Sequence, residues 1–419
     1  MTASSGAPSP RVAYTQWVSA CSDAGWQAGP VAEQVPVQAA LGRVTAGAIR
    51  ARWPSPRFAC AAMDGIAVAA SDAKPADRGG DVVLSASAFT WVDTGDLLPA
   101  GMDTIVERER VAEIRADGSA VVSGALVRGK NVRAAGEDFQ AGQLLVPAGR
   151  RLRPADLGAA AAAGYAAVAV ARQPVVAIIP SGDEIRPVGA VLGPGEFTDS
   201  NSVMLAALAV QAGAVPAVTS VQPDDPDVLA AAAREAAGTA DLVLVLAGSS
   251  RGRGDYTATV LAQVGGLAVQ GVATRPGHPV LLGHVKPARS GYSPPGSAGQ
   301  SAGTVPAIGV PGYPLAAAVI FDLFAAPLLA RLQGNLVPDR IPLAARLGCD
   351  WASPDGVEDW VPVSLTATPD GLPTALPSQG HGAGSVSRLA RADAWWRIPI
   401  GQGHFAQGDH IEVLPVIAG

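Results

Sequence analysis

Cysteine, lysine, aromatic residues and long apolar runs are all scarce in this chain. Cys21, Cys60 and Cys349 are an odd set with no CxxC spacing. That excludes a disulfide framework and a thiolate metal site, and the three read as reduced thiols in a cytoplasmic protein. Lys74, Lys130 and Lys286 are the only lysines, and the formal net charge is −6. The chain therefore lacks the basic excess of a general nucleic-acid surface. Local arginines can still outweigh a global negative charge at a small anionic ligand. The longest apolar runs, such as "LGAAAAAGYAAVAVA" (157–171), are Gly/Ala-rich and shorter than a membrane span. The Ser/Thr/Pro-rich start has no apolar core of the signal-peptide kind. His278, His284, His381, His404 and His410 show no HxH or HExxH spacing, and Ser249 and Ser250 sit in no GxSxG elbow. A zinc site and a Ser/His/Asp triad are without sequence support, and no fixed-period repeat runs through the chain.

What is present is a globular composition. The 419 residues are 48% apolar and 16% charged, enough for two to four domains. Forty-nine glycines and 35 prolines imply many turns and short strands. Residues 1–10 read as a disordered lead. "TQWVSACSDAG" and "VPVQAALGRVTAGAI" carry helical spacing within residues 11–50. Residues 58–145 break into short β-rich pieces between Gly, Pro and Asp, as in a small β domain. "RLRPADLGAAAAAGYAAVAV" starts helical and ends extended. From residue 174 strands and helices alternate: "PVVAIIP", "SNSVMLAALAVQAGA", "DDPDVLAAAAREAAGTA", "DLVLVLA", "YTATVLAQVG" and "PLAAAVIFDLFAAPLLARL". Apolar β-runs spaced by helices indicate a mostly parallel sheet covered on both faces. "KPARSGYSPPGSAGQSAG" (286–303) reads as a mobile surface insertion. After "GNLVPDR" short strands and turns continue to the C-terminus as a second small β domain.

In an open parallel sheet, ligands bind at the carboxyl ends of the strands, and three loops fall there. "AGSSRGRGDYT" (247–257) has glycines that let successive N–H groups turn inward, a helix start behind it, and the guanidinium groups of Arg251 and Arg253. It reads either as an oxyanion or phosphate pocket or as a solvated strand–helix turn. "SGDEI" (181–185) sets Asp183 and Glu184 beside the same end. With Asp255 they could bind a divalent cation through oxygen; the plainer reading is capping of a nearby helix start. "GVPGYP" (309–314) is a stiff turn whose role is shape. "AAMDGIAV" (61–68), read by itself, is a simple turn.

Taken in order, these stretches resemble one family, the molybdopterin molybdenumtransferases of the MoeA and gephyrin E-domain type. "AAMDGIAV" is similar to the family's SAMDGYAV, and "DTGDLLPAGMDTIVERERV" to its TGAxxPxGxDxVVxxE segment. The run from "RAAGEDFQAG" to "PSGDEI" follows the GED…PAG…STGDE block. "FTDSNSVML", "PGHPVLLG", "GVPGYPLAAAVIFDLF" and "GSVSRLARADAWWRIP" resemble the DxN helix opening, PGKPxxxG, GLPGNPVSAxxxF and the closing domain. The resemblance implies a multidomain α/β plus β fold. A central MogA/MoaB-like α/β module with a mostly parallel sheet would span 173–334, and a β insert domain 58–145. A discontinuous helical linking domain would span 11–57 and 146–172, and a C-terminal β-barrel-like domain 335–419.

The resemblance also implies molybdenum cofactor biosynthesis: insertion of molybdate (or tungstate) into adenylylated molybdopterin, with Mg²⁺ and release of AMP. It implies a homodimer whose active site is shared between the module of one subunit and the insert of the other. Carried over residue by residue, the catalytic set is Asp64, Asp138, Glu184 and Asp255, with Glu137 beside Asp138 and Asp64 reaching across the subunit boundary. Asp183, Glu184 and Asp255 are the metal set. Substrate binding falls to Thr94, Gly95, Asp199 (with Asn201), Gly248, Ser249, Ser250, Arg251, Gly252, Arg253, Arg275, His278, Pro311, Gly312 and Pro314. The departures all lie in the pocket. GGVSVGxxD has become "AGSSRGRGDY", two family lysines are Arg275 and His278, and Tyr313 replaces an Asn. These changes keep two alternatives open: a divergent, non-catalytic molybdopterin-binding protein for storage or sensing, and a tungstate-preferring transferase.

Overall fold

The computed structural model describes residues 6–27, 29–72, 74–75, 80–246, 256–288, 303–335, 340–369, 371–378 and 383–416. Most of the Gly/Arg loop (Gly248–Arg253 and Asp255), His381 and 289–302 of the Ser/Gly-rich insertion lie outside the described residues.

The α/β module is organised by strict alternation in three buried strands. It has strands β1 (Val175–Pro180), β2 (Val215–Val218), β3 (Leu242–Leu246), β4 (Gly265–Gln270), β5 (Leu281–Val285) and β6 (Val305–Val310). Their order in the sheet is β2-β1-β3-β6-β5-β4. The first four in that order are parallel, and β5 and β4 add an antiparallel edge. Successive side chains of a strand point to opposite faces. Leu242, Leu244 and Leu246 accordingly enter one core, while Val243 and Val245 enter the other. Ile178 and Ile179 divide in the same way, so both faces are covered.

One face is covered by α1 (Asn201–Gln211) and by the long helix from Pro314 to Gln333, which we call α4 and which contains a π turn at Phe321–Ala325. The other is covered by α2 (Pro226–Ala236) and α3 (Thr257–Val264). Local chemistry sets the helix ends. Asp225 caps α2 by accepting from the amides of Asp227 (2.8 Å) and Val228 (3.2 Å), with Pro226 at the first helical position. Gly334, at φ +64°, ends α4 in the left-handed conformation. By length and apolarity α4 could cross a membrane. Here Leu315–Phe321, Phe324 and Leu328 are buried in the protein core.

The amino-terminal helix Pro10–Asp23 packs onto this module. Trp17 is fully buried, donates from Nε1 to the Gly283 carbonyl (2.7 Å), and meets Phe324 edge-on. Burial pushes the Cys21 thiol up to about 12, so it stays protonated and inert. The ordered chain begins earlier than the composition suggests: Ser9 precedes the helix, and the Pro8 carbonyl accepts from Ala273 N (2.8 Å). A second expectation is corrected. "VPVQAALGRVTAGAI" is not a helix but the end of a strand, a 3₁₀ turn at Val37–Ala39, and bridges from Val44 to Arg151 and Thr45 to Val170. Gly42 sits at φ +71°, a conformation that interrupts a helix, and the β-branched Val44 and Thr45 pair with the returning chain instead.

In the linking region, Ala32–Pro36 pairs with Ala167–Ala171 and Ile49–Arg50 with Leu144–Val146, around a small core that includes Leu152 and Ala160 of the helix Pro154–Ala162. The β insert has a three-stranded sheet (Phe89–Val92, Gly65–Val68, Thr104–Glu107) and a four-stranded one. The two enclose Ile66, Val68, Leu84, Val106 and Val122. At the other end, β7 (Leu343–Leu347), β8 (Glu358–Thr366), β9 (Thr374–Pro377), β10 (Ala394–Ile398) and β11 (His410–Pro415) close into a five-stranded barrel in the order β8-β9-β7-β11-β10 and back to β8. Trp360 and Trp395 of the barrel pack against Leu315 and Val319 of α4.

Trp17→Ala removes a large buried ring and a hydrogen bond, so it should destabilise the fold by about 3–5 kcal/mol. Denaturant unfolding followed by far-UV circular dichroism checks this. A loss below about 0.5 kcal/mol, the size of an ordinary surface effect, would show that the helix only rests on the module.

Candidate active site

Two groups of polar residues stand apart in the chain. The first lies at the carboxyl ends of the parallel strands. After β1, Ser181 donates from both its amide (2.9 Å) and its hydroxyl (3.0 Å) to the Leu246 carbonyl at the end of β3. Gly182 then turns at φ +140°, where a Cβ would sit 2.7 Å from Ile185 Cγ1. The turn leaves Asp183 and Glu184 exposed. They cap no helix, which corrects that reading: Ile185–Arg186 continues as a short strand beside Phe197–Thr198. Instead Asp183 Oδ1 accepts from the Asp224 amide (3.3 Å). Asp224 was missed from sequence, although the "DDPD" stretch that precedes α2 signals it. Burial pushes its carboxyl above the usual range, and the charges of Glu184 and Asp183 push the same way. Three carboxylates thus crowd one edge.

Asp199 accepts from Ser202 N (3.0 Å) at the opening of α1. Asn201 Nδ2 donates to the Gly312 carbonyl (2.8 Å), which ties this helix start to the Pro311–Pro314 turn. The Asn201 Oδ1 atom is buried without a partner among the described residues. Leu281 lies opposite Gly309, so the turn carrying Arg275 and His278 is at the same end of the sheet. His278 Nδ1 is 2.8 Å from the Val272 carbonyl. A carbonyl only accepts, so Nδ1 carries the proton and Nε2 is the free ring nitrogen. Arg275 makes a two-point ion pair with Asp359, at 3.0 and 2.6 Å. Ser353 adds a hydroxyl to the same carboxylate (3.0 Å), and Arg397 and Trp360 share the adjacent Glu358. The Arg388 guanidinium is held below its usual value, first by burial and then by the field of Arg275. Asp359, Glu358, Arg388 and Arg397 were not singled out from sequence. The one signal was a pair of acids, "ED", opening an apolar strand.

The second group is in the β insert. Asp64 Oδ1 accepts from the Thr94 amide and hydroxyl, both at 2.7 Å. The hydroxyl bond, then the amide bond, hold the Asp64 carboxyl below the usual range, and the Arg108 guanidinium adds to the effect. Gly65 permits this loop: a Cβ there would lie 1.9 Å from the Val106 carbonyl oxygen. Gly95 donates to Ala61 O (2.9 Å) at φ +95°. Glu137 bonds Arg133 Nε (2.6 Å) and the Ala134 amide (3.1 Å), and the arginine holds its carboxyl low. The exposed Asp138 is fixed through its amide to Ser55 O (3.0 Å). No hydrogen bond or ion pair from Asp64, Thr94, Gly95, Glu137 or Asp138 reaches the α/β module among the described residues. Within one chain the described residues of the predicted set form two separate groups. Gly248, Ser249, Ser250, Arg251, Gly252, Arg253 and Asp255 lie outside the described residues.

Replacing Thr94 by Val removes the hydroxyl hydrogen bond to Asp64. The Asp64 carboxyl, depressed in the folded state, should then titrate at higher pH, which a side-chain NMR pH titration reads. The sign follows from linkage. The contribution of this pair is present above the unfolded carboxyl's pKa and is lost as pH falls through the lower folded value. An unchanged titration would show that the Thr94 hydroxyl does not set the charge of Asp64.

Comparison with known proteins adds three matches in chain order. The MoeA N-terminal region (domain I and II) matches residues 15–164, a "Probable molybdopterin binding domain" matches 177–331, and the MoeA C-terminal region (domain IV) matches 344–416. The chain is 30% identical over 407 residues to a molybdopterin molybdenumtransferase of Nostoc sp., covering 91% of this chain and 88% of the relative. It is 30% identical over 403 residues to one of Bacillus subtilis, covering 91% and 89%. Among solved structures, the molybdopterin biosynthesis MoeA protein of Pyrococcus horikosii superposes with a TM-score of 0.77 at 28% identity, covering 99% of this chain and all of that one.

Proposed function

The chain belongs to the MoeA family of molybdopterin molybdenumtransferases, enzymes of molybdenum cofactor biosynthesis, and from that premise we propose that it inserts molybdate into adenylylated molybdopterin with release of AMP. The observation that supports this reading is the turn at Gly182, which sets the exposed Asp183 and Glu184 at the carboxyl end of the parallel sheet, with Asp183 Oδ1 accepting from the Asp224 amide (3.3 Å). Two exposed carboxylates there suit a divalent cation shared with a substrate. Mg²⁺ is commonly held by one or two carboxylates plus substrate phosphate oxygens. Asp183 and Glu184, with Asp255 from the neighbouring loop, would hold it. No three His, Cys, Asp or Glu side chains among the described residues are grouped to hold a metal by themselves. The remaining ligands then fall to Asp255 and the substrate. When bound, the ion neutralises the phosphate charge that leaves with AMP.

The chain's own residues do the rest. Arg275, held at two points by Asp359, sets one planar guanidinium at the rim. The Asn201–Gly312 bond fixes the rim turn against the opening of α1. Asp64, kept ionised by Thr94, offers a rigid acceptor. A second copy of the chain brings that half-site to the first. Met63 and Leu97 flank it as exposed apolar residues, with Phe58 and Trp91, each under an arginine, beside them, the kind of surface that a partner covers. The active form is therefore a symmetric homodimer with two shared sites, acting in the cytoplasm, and the four-part division of the chain proposed above follows from the same reading. Storage without turnover is the weaker alternative, because a binding module has no need of ionised carboxylates on both half-sites. Tungstate in place of molybdate is open to the same pocket.

Purified protein with adenylylated molybdopterin, Mg²⁺ and molybdate should release AMP and finished cofactor, with tungstate run in parallel. Tight ligand binding without AMP would leave the storage reading. The shared site has its own test. Asp64→Ala and Asp255→Ala should each be inactive alone. Mixed after subunit exchange, they should regain up to roughly a quarter of wild-type turnover, since one intact site forms in each mixed dimer. No recovery, with exchange verified by mass, would mean that each chain completes its own site.

A further inference from the structure

Tyr313 occupies an unusual place. It lies in the Pro311–Pro314 turn at the carboxyl end of β6, the central position for ligands of such a sheet. Its backbone is anchored on both sides. The Gly312 carbonyl accepts from Asn201 Nδ2 (2.8 Å), and the Tyr313 carbonyl accepts from Ala317 N (2.9 Å) in the first turn of α4. Leu315 N donates to Ala383 O (3.0 Å), which brings the segment around Gly384 alongside. A Cβ built on Gly384 would lie 3.4 Å from Tyr313 Cδ1 and 3.6 Å from Cε1, so the ring has a neighbour on one edge. Its remaining surface is open, and the residue is 66% exposed. Two other exposed aromatics have an arginine over them, Arg108 over Trp91 and Arg57 over Phe58, while Phe197, 63% exposed, has none among the described residues. No such cover is recorded for Tyr313 among the described residues.

We propose that the Tyr313 ring is a stacking platform for a planar, fused nitrogen heteroaromatic ring of the substrate. The inference rests on the function proposed above, whose substrate carries two such rings, a pterin and an adenine. Its anchored backbone and the Gly384 edge limit where the ring can go, so it loses less freedom on stacking than a ring on a free loop. Contact with a flat heterocycle removes apolar area from water on both partners. Pro311 and Pro314 stiffen the turn on either side, which keeps the platform in place before the ligand arrives. Tyr313 would thus select for flat ligands without taking part in bond making.

The test uses the full-length protein and two probes: molybdopterin lacking the adenylate, and AMP. Affinities are measured by calorimetry for wild type, Tyr313→Ala, Tyr313→Leu and Tyr313→Phe, with thermal unfolding as the folding control. Stacking of this kind is worth roughly a 10- to 100-fold change in affinity on removal of the ring. Ala and Leu should both show that loss for one of the two probes. Phe should stay within about threefold of wild type, since the ring and not the hydroxyl makes the contact. A loss confined to molybdopterin assigns the pterin, and a loss confined to AMP assigns the adenine. If wild type binds the probes and all four proteins bind alike, or if Phe loses as much as Ala, the stacking role is wrong while the function stands. If wild type binds neither probe, the function itself is wrong and the inference goes with it.

Discussion

Two adjacent carboxylates, Glu358 and Asp359, are buried at the seam between the α/β module and the barrel, and the arrangement of the site depends on how their charge is met. An unpaired buried carboxylate is untenable, and breaking such a pair costs about 3–5 kcal/mol. Here each has a guanidinium and a second donor. Asp359 has Arg275 and Ser353, and Glu358 has Arg397 and Trp360. Thr274 and Arg275 also pair with Glu358 and Asp359 as parallel strands. The barrel is therefore fixed to the turn that carries Arg275 and His278. Through Trp360 and Trp395 it is also fixed to α4, whose first residues carry the Tyr313 turn. Charge satisfaction in the seam and the shape of the pocket rim are one constraint.

That constraint explains which parts were legible in the sequence. "DLVLVL" announces itself because its alternation is local and both faces bury the same kind of residue. The helices of the module are equally plain, since Pro226 and Pro314 mark their starts and Gly334 the end of the last. "VPVQAALGRVTAGAI" misleads because its apolar spacing suits a helix, while its hydrogen bonds go to residues more than a hundred positions away, around Arg151 and Val170. Periodicity carries no record of such partners. The same limit hid Asp359. An acid inside an apolar strand is visible, but its partner, 84 residues earlier, is not.

The candidate site divides along the same line. Asp183 and Glu184 drew notice as residues of a compact motif with a glycine beside them, whereas Asp64, Thr94 and Asp199 came only from the family resemblance. Asp224 was missed because only the fold lays the start of α2 against the Asp183 turn. The separation of the two groups has a simple physical origin. The insert closes its own small core, with Ile66, Val68 and Val106 inside, and faces its polar loops outward. A loop that satisfies its own backbone, as Gly95 does by donating to Ala61 O, needs no support from the module.

The departures from the family pattern then take on a common character. Where the resemblance leads one to expect lysine, lysine and asparagine, this chain has Arg275, His278 and Tyr313. A lysine ammonium is a mobile point charge. A guanidinium is planar and can hold a carboxylate at two points, as Arg275 does with Asp359. A lysine could not make that two-point contact, so the arginine is matched to the acid beneath it. His278 is likewise oriented, its Nδ1 bound to Val272 O with the other ring nitrogen left over. The two lysine replacements exchange a flexible point charge for a planar group anchored by hydrogen bonds, and Tyr313 adds an aromatic ring at the rim. Planar groups of this kind act at contact through shape, while the field of a point charge acts at a distance, where salt screens it. Such a rim works only if the planes stay fixed, and the paired carboxylates of the seam hold Arg275 and seat the Tyr313 turn.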